Sequence, residues 1–469
     1  MTTDTTTPDF LEDMLQRGLV QDCTDREELR QHLATGTRKA YVGFDPTTDS
    51  LTIGNLVGVM ALARFQIAGH HPVALMGGGT GLIGDPSGKS AERILLDEDS
   101  VRANVYSIEE SLANVWDSSA REAEHAKVKA YPLTTVNNID WLGKLGYLEA
   151  LRDIGKYFSV NQMIARDSVK DRLHNREQGI SYTEFSYMIL QAYDYAHLHK
   201  SEGVTLQMGG SDQWGNIVSG ADLIRRFRMQ SVAEAVERVN LAEGLPPNTP
   251  NAALIPFEDA AFGLTWPLIT KADGGKFGKS ESGAVWLSAH RTSPYAYSQF
   301  WLNAADADVE RFLKVFTFIP VPEITAIMAR HGANPGAREA QRALAQHATD
   351  ILHGTAARQH AEAAAGALFS GDVGQLPLAT LLEVLSSAPS TNHDKSQLAG
   401  EGLSLIDLLA QSSLAKSKTE ARQFLTDGSV SINGVKAAFA DRLTLDHLLH
   451  NEIITLRRGK KNWHVTRWE

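Results

Sequence analysis

A glycine-rich stretch at residues 77–89 has the composition of a loop that binds phosphate. A G-x-G-x-x-G spacing begins at Gly79, but Asp85 and a proline follow it directly, where a dinucleotide-binding loop needs a helix that opens toward an anion. The Gly-Lys-Ser that contains Lys89 resembles the end of a P-loop, but Ile83 stands where the first glycine is required. We therefore predict neither motif, and a glycine turn without chemistry remains open.

Cationic side chains accompany glycines in two places. Lys89 and Arg93 follow the acid Asp85 in the first stretch, and Lys276 and Lys279 form a Lys-x-x-Lys pair directly after two glycines. Such side chains could neutralise a phosphate group. An isolated pair of lysines is more often a solvated basic turn, so the pair alone favours no chemistry.

Three hydrogen-bonding side chains, Tyr187, Gln191 and Asp194, are spaced four and three residues apart. This spacing places all three on one face of a helix. The same spacing also suits an ordinary buried stripe, so it does not by itself distinguish a binding site from core packing.

The glycine-rich stretch follows a pattern that predicts one βαβ unit. Residues 40–44 and 72–77 have the composition of short buried strands, and residues 56–68 between them have helical character. Gly69 lies where a helix C-terminal cap belongs. Because the helix opens at residues 51–55, directly after the first strand, its N-terminus should lie at the carboxyl edge of a parallel sheet, where phosphate binds favourably.

The length and composition limit the classes of protein to which the chain can belong. A length of 469 residues exceeds what one hydrophobic core usually organises, so several domains are predicted. No apolar run approaches the ~20 residues of a membrane span, and the first residues lack a secretory signal, which predicts a cytoplasmic protein with no membrane partner. One cysteine, with histidines that lack nearby paired carboxylates, predicts no metal bound by protein ligands.

The charge is distributed unevenly. The net charge of −11 argues against nonspecific binding of polyanions across the whole surface. Residues 403–469, in contrast, carry ten Lys and Arg against seven Asp and Glu, a net charge of +3. Helical segments there precede an Asn433-Gly434 hairpin signal. A solubilising charged face remains the alternative to a phosphate-facing surface, whose candidate RNA-binding residues are Lys416, Lys418, Arg422, Arg457, Arg458, Lys460 and Lys461.

Five motifs, which follow one another in the same order as in a known family, give a resemblance that covers nearly the whole chain. The chain resembles the bacterial tyrosyl-tRNA synthetases, a class I family. The matching stretches are YVGFDPT at 41–47, GTGLIGDPSGK at 79–89, SYTEFSYMILQ at 181–191, QMGGSDQWGN at 207–216 and KFGKS at 276–280.

This resemblance implies an α/β fold, with a doubly wound, Rossmann-like parallel sheet in the catalytic domain. An α-helical domain and a small α+β RNA-binding domain should follow. The implied divisions are a catalytic domain at 1–262 with an extended segment near 226–262, a linker with the lysine loop at 263–292, a helical anticodon-region domain at 293–385, a linker at 386–402, and a ribosomal-protein-like RNA-binding domain at 403–469.

The implied activity is tyrosine–tRNA ligation. ATP and L-tyrosine would form tyrosyl-adenylate with release of pyrophosphate, and tyrosine would then be transferred to tRNA(Tyr). ATP would enter as a substrate with Mg²⁺ as its counterion, and the family implies a homodimer. The residues implied to act on the phosphates are Thr47, Lys89, Arg93, Lys276 and Lys279.

The resemblance also assigns the binding residues. The tyrosine-binding set is Tyr41, Thr80, Asp85, Tyr187, Gln191, Asp194, Gln207 and Gln213, in which Tyr41 and Asp194 would hold the phenolic hydroxyl. The ATP-binding set is Asp45, Gly54, Asn55, Gly210, Asp212 and Lys279. The lysine loop is Lys276, Phe277, Gly278, Lys279 and Ser280. The class I signature, usually His-Ile-Gly-His, reads Thr52, Ile53, Gly54 and Asn55 here.

Thr52 is the main departure from the family pattern, because threonine is shorter than histidine and cannot carry a charge. One alternative is therefore a catalytically weakened, synthetase-like RNA-binding protein. A second alternative is a synthetase for tryptophan, which would not need Tyr41 and Asp194 as a phenol-binding pair. The retained Lys276 and Lys279 favour an active enzyme over the first alternative.

Overall fold

The computed structural model describes residues 9–83, 97–165, 169–170, 180–242, 246, 260–272, 274–275, 277–280, 283–386, 388–459 and 462–469, without the side chains of residues 242, 279, 280 and 369. The chain forms two compact units. The first is Met1–Ser293 with Gln299–Gly354, and the second is Pro294–Ser298 with Thr355–Glu469. The domain boundaries expected from the sequence stay predictions.

The first unit is built on five parallel strands in the order β3-β2-β1-β4-β5. A sheet of this order is doubly wound, because the chain moves outward from β1 through β2 to β3 and then returns to the other side of β1. The α/β, Rossmann-like prediction is confirmed. The strands are β1 Lys39–Phe44, β2 His71–Met76, β3 Thr134–Asn137, β4 Val204–Gly210 and β5 Phe262–Trp266.

Helices precede, separate and follow the strands of this sheet along the chain. The helices that come before β4 in the chain are α1 Phe10–Gln16, α2 Arg26–Ala34, α3 Leu56–Ile67, α4 Glu98–His125, α5 Ile139–Leu142, α6 Tyr147–Glu149, α7 Val160–Ile164 and α8 Tyr182–Glu202. After β4 come α9 Trp214–Ala242, α10 Pro294–Leu302, α11 Asp306–Phe316, α12 Val321–Ala333 and α13 Glu339–Ser370. A short hairpin, β6 Lys279–Ser280 and β7 Gly283–Ala284, lies between β5 and α10.

The predicted βαβ unit is present as β1, α3 and β2. Every residue of α3 from Leu56 to Gln66 is buried, because its largely apolar sequence packs on the sheet and under neighbouring helices. Gly69 has a φ of +82° just after the helix, which is the left-handed conformation that favours glycine at a C-terminal cap. Because α3 begins after the carboxyl end of β1, its amino end lies at the carboxyl edge of the sheet, as predicted.

We expect Gly69→Ala to destabilise the protein by about 1–2 kcal/mol through its left-handed backbone, before any clash is counted. The added Cβ would lie 2.7 Å from Cγ1 of Val128. Gly332 in α12 is a matched control, because no atom lies within 4 Å of its Cβ position. Gly332→Ala should leave stability unchanged or raise it by up to about 1 kcal/mol. Equal urea midpoints for both variants would contradict the prediction.

Two buried arginines join α3 to α11. Arg64 of α3 donates to the main-chain oxygens of Lys314 (3.0 Å), Val315 (2.9 Å) and Thr317 (2.7 Å) at the carboxyl end of α11. Arg17 donates to the same end, and Asp13 pairs with both guanidinium groups. The arginines thus satisfy carbonyls that a helix end leaves without partners. Helix α3 is thereby fixed at the end remote from its signature residues.

The second unit contains a five-stranded sheet in the order β11-β10-β13-β14-β8. The predicted order of helix, helix and hairpin is confirmed, and Asn433 and Gly434 have φ values of +48° and +87° at the hairpin turn. The segment expected to be a linker, 386–402, contributes β8, which pairs with β14. The elements are α14 Leu378–Val384, β8 Ser390–His393, β9 Leu403–Ser404, α15 Leu405–Gln411, α16 Lys418–Thr426, β10 Val430–Ile432, β11 Val435–Lys436, β12 Arg442–Leu443, β13 Ile453–Arg458 and β14 Asn462–Trp468.

In the part of the chain that the structure describes, no helix combines the length and the apolar composition that crossing a bilayer requires.

Candidate functional site

A cavity of about 510 Å³ opens at the carboxyl ends of β1 and β4, where the strand order of the sheet reverses. Ligands of doubly wound sheets bind at this point. Most of the candidate site residues that the structure describes in the first unit line it. They are Tyr41, Asp45, Thr47, Thr52, Gly54, Asn55, Thr80, Tyr187, Gln191, Asp194, Gln207, Gly210, Asp212 and Gln213.

Asp194 is a fully buried carboxylate at one end of this cavity, on the inner face of α8. Trp141 donates its indole N–H to Oδ1 at 2.8 Å, and Asn138 donates an amide N–H to Oδ2 at 2.9 Å. Burial raises the pKa of Asp194 to about 7, although these two hydrogen bonds favour the charged form. The carboxylate is therefore held in one orientation and retains acceptor capacity toward the cavity.

Tyr41 lies beside Asp194 on β1 and is 1% exposed. Its hydroxyl forms no hydrogen bond with any of the described residues. Burial, followed by the nearby Asp194 charge, holds the pKa of Tyr41 well above its usual value, so the hydroxyl stays protonated. A buried hydroxyl without a partner is costly unless a ligand supplies one, so this pair of side chains suits a ligand hydroxyl.

The raised pKa of Asp194 predicts how the affinity for L-tyrosine, the ligand that the resemblance implies, depends on pH. A phenol that donates to the carboxylate favours its charged form, so binding should lower the pKa of Asp194 from about 7. By linkage, tyrosine affinity should be highest above pH 7 and should fall as the pH drops through 7, by at most about tenfold per unit. Tyrosine dissociation constants measured between pH 5.5 and 8 test this. A flat profile would contradict it, and Asp194→Asn should remove the dependence.

A hydrogen-bonded chain connects Asp194 to the middle of the cavity. The amide N–H₂ of Asn138 donates to Asp194 and, at 3.0 Å, to the Thr80 hydroxyl. Thr80 donates to Asp45 at 3.1 Å, and Tyr187 donates to the other oxygen of Asp45 at 3.3 Å. A Cβ on residue 77 would collide with the Asp45 carboxylate, which explains a glycine at that position. The glycine-rich stretch thus supports this chain of polar groups.

A second hydrogen-bonded group lies on the β4 side of the cavity. Asn216 donates to the side-chain oxygen of Gln191 at 2.8 Å and to that of Gln213 at 3.3 Å. Gln213 in turn donates to Asp212 at 3.3 Å. The side-chain oxygen of Gln207 is buried and accepts no hydrogen bond from the described residues. These groups present amide and carboxylate oxygens that suit ammonium and hydroxyl donors.

The signature residues form a turn at the amino end of α3. Asn55 is the N-cap residue, and Ile53 is fully buried below the turn. The main chain of Thr52 and Ile53 is held by the strand-like segment at 285–287, since the Ile53 N–H donates to the Val285 oxygen at 2.9 Å. Thr47 lines the same region. The turn and the helix end provide polar groups and a partial positive charge that suit a phosphate.

The lysine loop runs beside this signature turn. Val285 donates to the Gly278 oxygen at 3.0 Å, and a Cβ at Gly278 would lie 2.7 Å from Cγ2 of Ile53. The ring of Phe277 stacks on Phe316 at 5.2 Å and contacts Phe312 at 5.1 Å. The loop backbone is therefore anchored on an aromatic cluster. The side chains of Lys279 and Ser280, and all of Asp85, Lys89, Arg93 and Lys276, lie outside the described residues.

The candidate RNA-binding residues fall into two groups. Lys416, Lys418 and Arg422 are exposed near the start of α16, and Lys418 pairs with Asp407 at 2.7 Å. The second group is half-buried: Arg457 lies over the Trp463 ring, while Arg458 lies over Phe424 and donates to the Leu414 oxygen. Lys460 and Lys461 lie outside the described residues. Part of the cationic charge thus also stabilises the fold.

Three residues that contact the predicted site residues were missed from the sequence: Asn138, Trp141 and Asn216. Asn138 and Trp141 follow β3, and neither belongs to a motif. The signal that could have indicated them is physical, because a buried carboxylate such as Asp194 requires donors from elsewhere in the chain. Asn216 ends the motif at 207–216, where an amide three residues after Gln213 can reach it on one helix face.

Comparisons with known proteins agree with this geometry. Residues 34–370 match the family described as tRNA synthetases class I (W and Y), and residues 383–466 match the tyrosine–tRNA ligase SYY-like C-terminal domain. The chain is 44% identical to a tyrosine–tRNA ligase of Aliivibrio fischeri, over 99% of this chain and all of that protein. It is 42% identical to tyrosine–tRNA ligase 1 of Bacillus subtilis, over 98% and 99%. A C-terminally truncated mitochondrial tyrosyl-tRNA synthetase of Aspergillus nidulans is 33% identical, with a TM-score of 0.63 over 77% of this chain and 94% of that one.

Proposed function

The chain belongs to the tyrosine–tRNA ligase family of class I tRNA synthetases, and from this premise we propose how its own residues carry out that ligation. It is an enzyme that joins tyrosine to tRNA with ATP. The observation that carries the specificity is the buried pair of Tyr41 and Asp194 in the cavity. One partner offers an unused hydroxyl and the other an oriented carboxylate, and a phenolic hydroxyl complements both.

Tyrosine binds with its hydroxyl between Tyr41 and Asp194 and its ammonium group toward Tyr187, Gln191 and the sequence-assigned Asp85. The carboxylates and amide oxygens of that region suit an ammonium group. A tryptophan side chain could donate its indole N–H to Asp194, but it has no oxygen that could accept from the Tyr41 hydroxyl, so Tyr41 would stay buried without a partner. This argues against the tryptophan alternative, and the retained polar cavity argues against a weakened RNA-binding scaffold.

In the first step a carboxylate oxygen of tyrosine attacks the α-phosphorus of ATP. The bond from that phosphorus to the bridging oxygen breaks, and pyrophosphate leaves with the electron pair. Asp212 contacts the ribose, Gln213 contacts the tyrosyl carbonyl, and Asp45 lies beside the reacting groups. The amino end of α3 faces the phosphates with Thr47 and Asn55. The chemistry requires positioning and positive charge more than covalent catalysis.

Lys89, Arg93, Lys276 and Lys279 supply that charge to the departing pyrophosphate. Mg²⁺ arrives with ATP as its counterion and adds charge on the phosphates. The described residues contain no group of three or more His, Cys, Asp or Glu that could hold a metal ion by themselves. Each protein group named here positions or neutralises phosphate, and none needs to exchange a proton.

In the second step a terminal ribose hydroxyl of tRNA(Tyr) attacks the carbonyl carbon of the adenylate. AMP leaves with the electron pair of the broken C–O bond, and the hydroxyl proton is released. The second unit holds the tRNA through Lys416, Lys418 and Arg422, which are exposed together near one helix end. Because each phosphate contact releases a counterion, the affinity for tRNA should fall as the salt concentration rises.

The protein acts in the cytoplasm, where translation uses the charged tRNA.

The chain acts as a homodimer. Large hydrophobic side chains are exposed between residues 147 and 182, and Tyr147 and Tyr182 there share a hydrogen bond. A run of exposed apolar side chains of this kind is typical of a subunit interface. Sedimentation should give twice the chain mass, and Leu148→Asp should shift it toward the monomer, whereas Leu445→Asp, at an exposed leucine elsewhere, should not. A monomeric wild type would contradict this proposal.

The function is tested by charging tRNA(Tyr) with labelled tyrosine. The intact chain should form tyrosyl-tRNA in the presence of ATP, and joint substitution of Lys416, Lys418 and Arg422 by alanine should raise the KM for tRNA without changing the activation of tyrosine. Arg467→Ala, an exposed cation in the same unit, is the control and should change neither. Failure of the wild type to charge tRNA would overturn the proposed function.

A further inference from the structure

Thr52 stands where the family signature usually has histidine, and its contacts show a specific local arrangement. The Thr52 hydroxyl donates to the side-chain oxygen Oδ1 of Asn55 at 2.9 Å. The Thr52 main-chain N–H donates to the same oxygen at 3.1 Å. The Asn55 N–H closes the turn by donating to the Thr52 main-chain oxygen at 2.9 Å. Thr52 therefore contacts Asn55 through its side chain and both of its main-chain polar groups.

These contacts fix which way the Asn55 carboxamide faces. A main-chain N–H can only donate, so the carboxamide atom in front of Thr52 must be the oxygen and not the nitrogen. The nitrogen Nδ2 then lies on the opposite side of the group. No described residue accepts a hydrogen bond from Nδ2, and Asn55 is exposed in the cavity wall. The two N–H bonds of Nδ2 are thus available to a ligand.

The position of Asn55 at the amino end of a helix indicates which kind of ligand atom its free N–H bonds suit. Asn55 is the N-cap residue of the twelve-residue helix α3, but its side chain forms no capping hydrogen bond with the helix. Its oxygen is turned back toward Thr52 instead. Both the amide N–H bonds and the partial positive charge of the helix end are therefore directed to the same part of the cavity. An anionic oxygen complements them.

We propose that Thr52 is a positioning residue that orients the Asn55 carboxamide so that Nδ2 donates to a phosphate oxygen of ATP in the activation step. The inference rests on the proposed function, because it concerns the same nucleotide site. Thr52 acts through Asn55 and does not itself contact the phosphate, so of its side-chain groups only the hydroxyl takes part.

The test is tyrosine-dependent exchange of labelled pyrophosphate into ATP by the full chain. Thr52→Val removes the hydroxyl but keeps the shape and the main-chain N–H that also contacts Oδ1 of Asn55, so kcat should fall about threefold to tenfold, the effect of one hydrogen bond, while the KM for tyrosine stays within twofold. Thr52→Ser keeps the hydroxyl and should stay within about twofold of wild type. Urea midpoints and tyrosine dissociation constants establish that each variant folds.

A double-mutant cycle separates positioning from direct contact. In an Asn55→Ala background, Thr52→Val should have no further effect, because the group that Thr52 orients is gone. A further loss of the same size in that background would overturn the proposal and assign the phosphate contact to Thr52 itself. Full activity of Thr52→Val would also overturn it. A wild type without any exchange would overturn the proposed function instead, so the two failures are distinguishable.

Discussion

Replacement of Asp194 by asparagine is expected to lower kcat/KM for tyrosine by between about a hundredfold and ten-thousandfold. The carboxylate faces three donors: the N–H of Asn138, the N–H of Trp141 and the hydroxyl of bound tyrosine. An asparagine offers one oxygen and turns an N–H₂ group toward a donor. The variant loses a hydrogen bond to a charged group, which contributes about 1.5–3 kcal/mol to binding. It also leaves a buried donor without an acceptor, which costs about 1–3 kcal/mol.

The same change should reduce the discrimination between tyrosine and phenylalanine, because phenylalanine has no hydroxyl and loses no such bond. Pyrophosphate exchange with both amino acids measures the two effects together. Asp222→Asn is a matched control, since Asp222 is a carboxylate outside the cavity that pairs with Arg225 and Arg226. It should stay within about twofold of wild type. An Asp194→Asn variant that keeps its selectivity would contradict the role of Asp194.

Replacement of Lys279 by alanine is expected to lower kcat for tyrosine activation by about a hundredfold to a thousandfold. One preorganised donor to a developing charge contributes on this scale. The physical basis is the course of the loop backbone, which contacts Ile53 of the signature turn at Gly278 and is anchored by Phe277. Because the charge acts on the leaving pyrophosphate, the KM for tyrosine should stay near its wild-type value.

Stopped-flow measurement of adenylate formation distinguishes a loss of rate from a loss of binding. Lys200→Ala is the control, because Lys200 is an exposed lysine in the last turn of α8, away from the cavity lining. It should change neither quantity. A Lys279→Ala variant that binds tyrosine weakly but forms the adenylate at the normal rate would contradict the assignment.

Local patterns in the sequence predicted the parts of the fold that local forces decide. The apolar runs at 40–44 and 72–77 became β1 and β2, because buried parallel strands have few polar residues. The spacing of Tyr187, Gln191 and Asp194 placed all three on the cavity side of α8. The capping box of Ser181 and Glu184 and the left-handed Gly203 define the ends of that helix. These features depend on residues close together in the chain.

Features that depend on distant residues could not be predicted in this way. Asn138 and Asp194 are far apart in sequence, and their contact exists because the fold brings the turn after β3 against α8. Likewise, the polar composition of 386–402 predicted a linker, yet part of it pairs with β14 because that strand offers a free edge. The orientation of a side chain cannot be predicted in this way either. The sequence showed that Thr52 replaces histidine, but not that its hydroxyl donates a hydrogen bond to Asn55.

The most direct test of tyrosine activation is the exchange of labelled pyrophosphate into ATP by the wild-type chain, with tyrosine, phenylalanine and tryptophan supplied separately. Exchange that depends on tyrosine and is far slower with the other two amino acids is the predicted result, because only tyrosine supplies the hydroxyl that Tyr41 and Asp194 require. Absence of exchange with all three, from a folded chain that binds tRNA, would contradict the account and favour an RNA-binding protein on a synthetase scaffold.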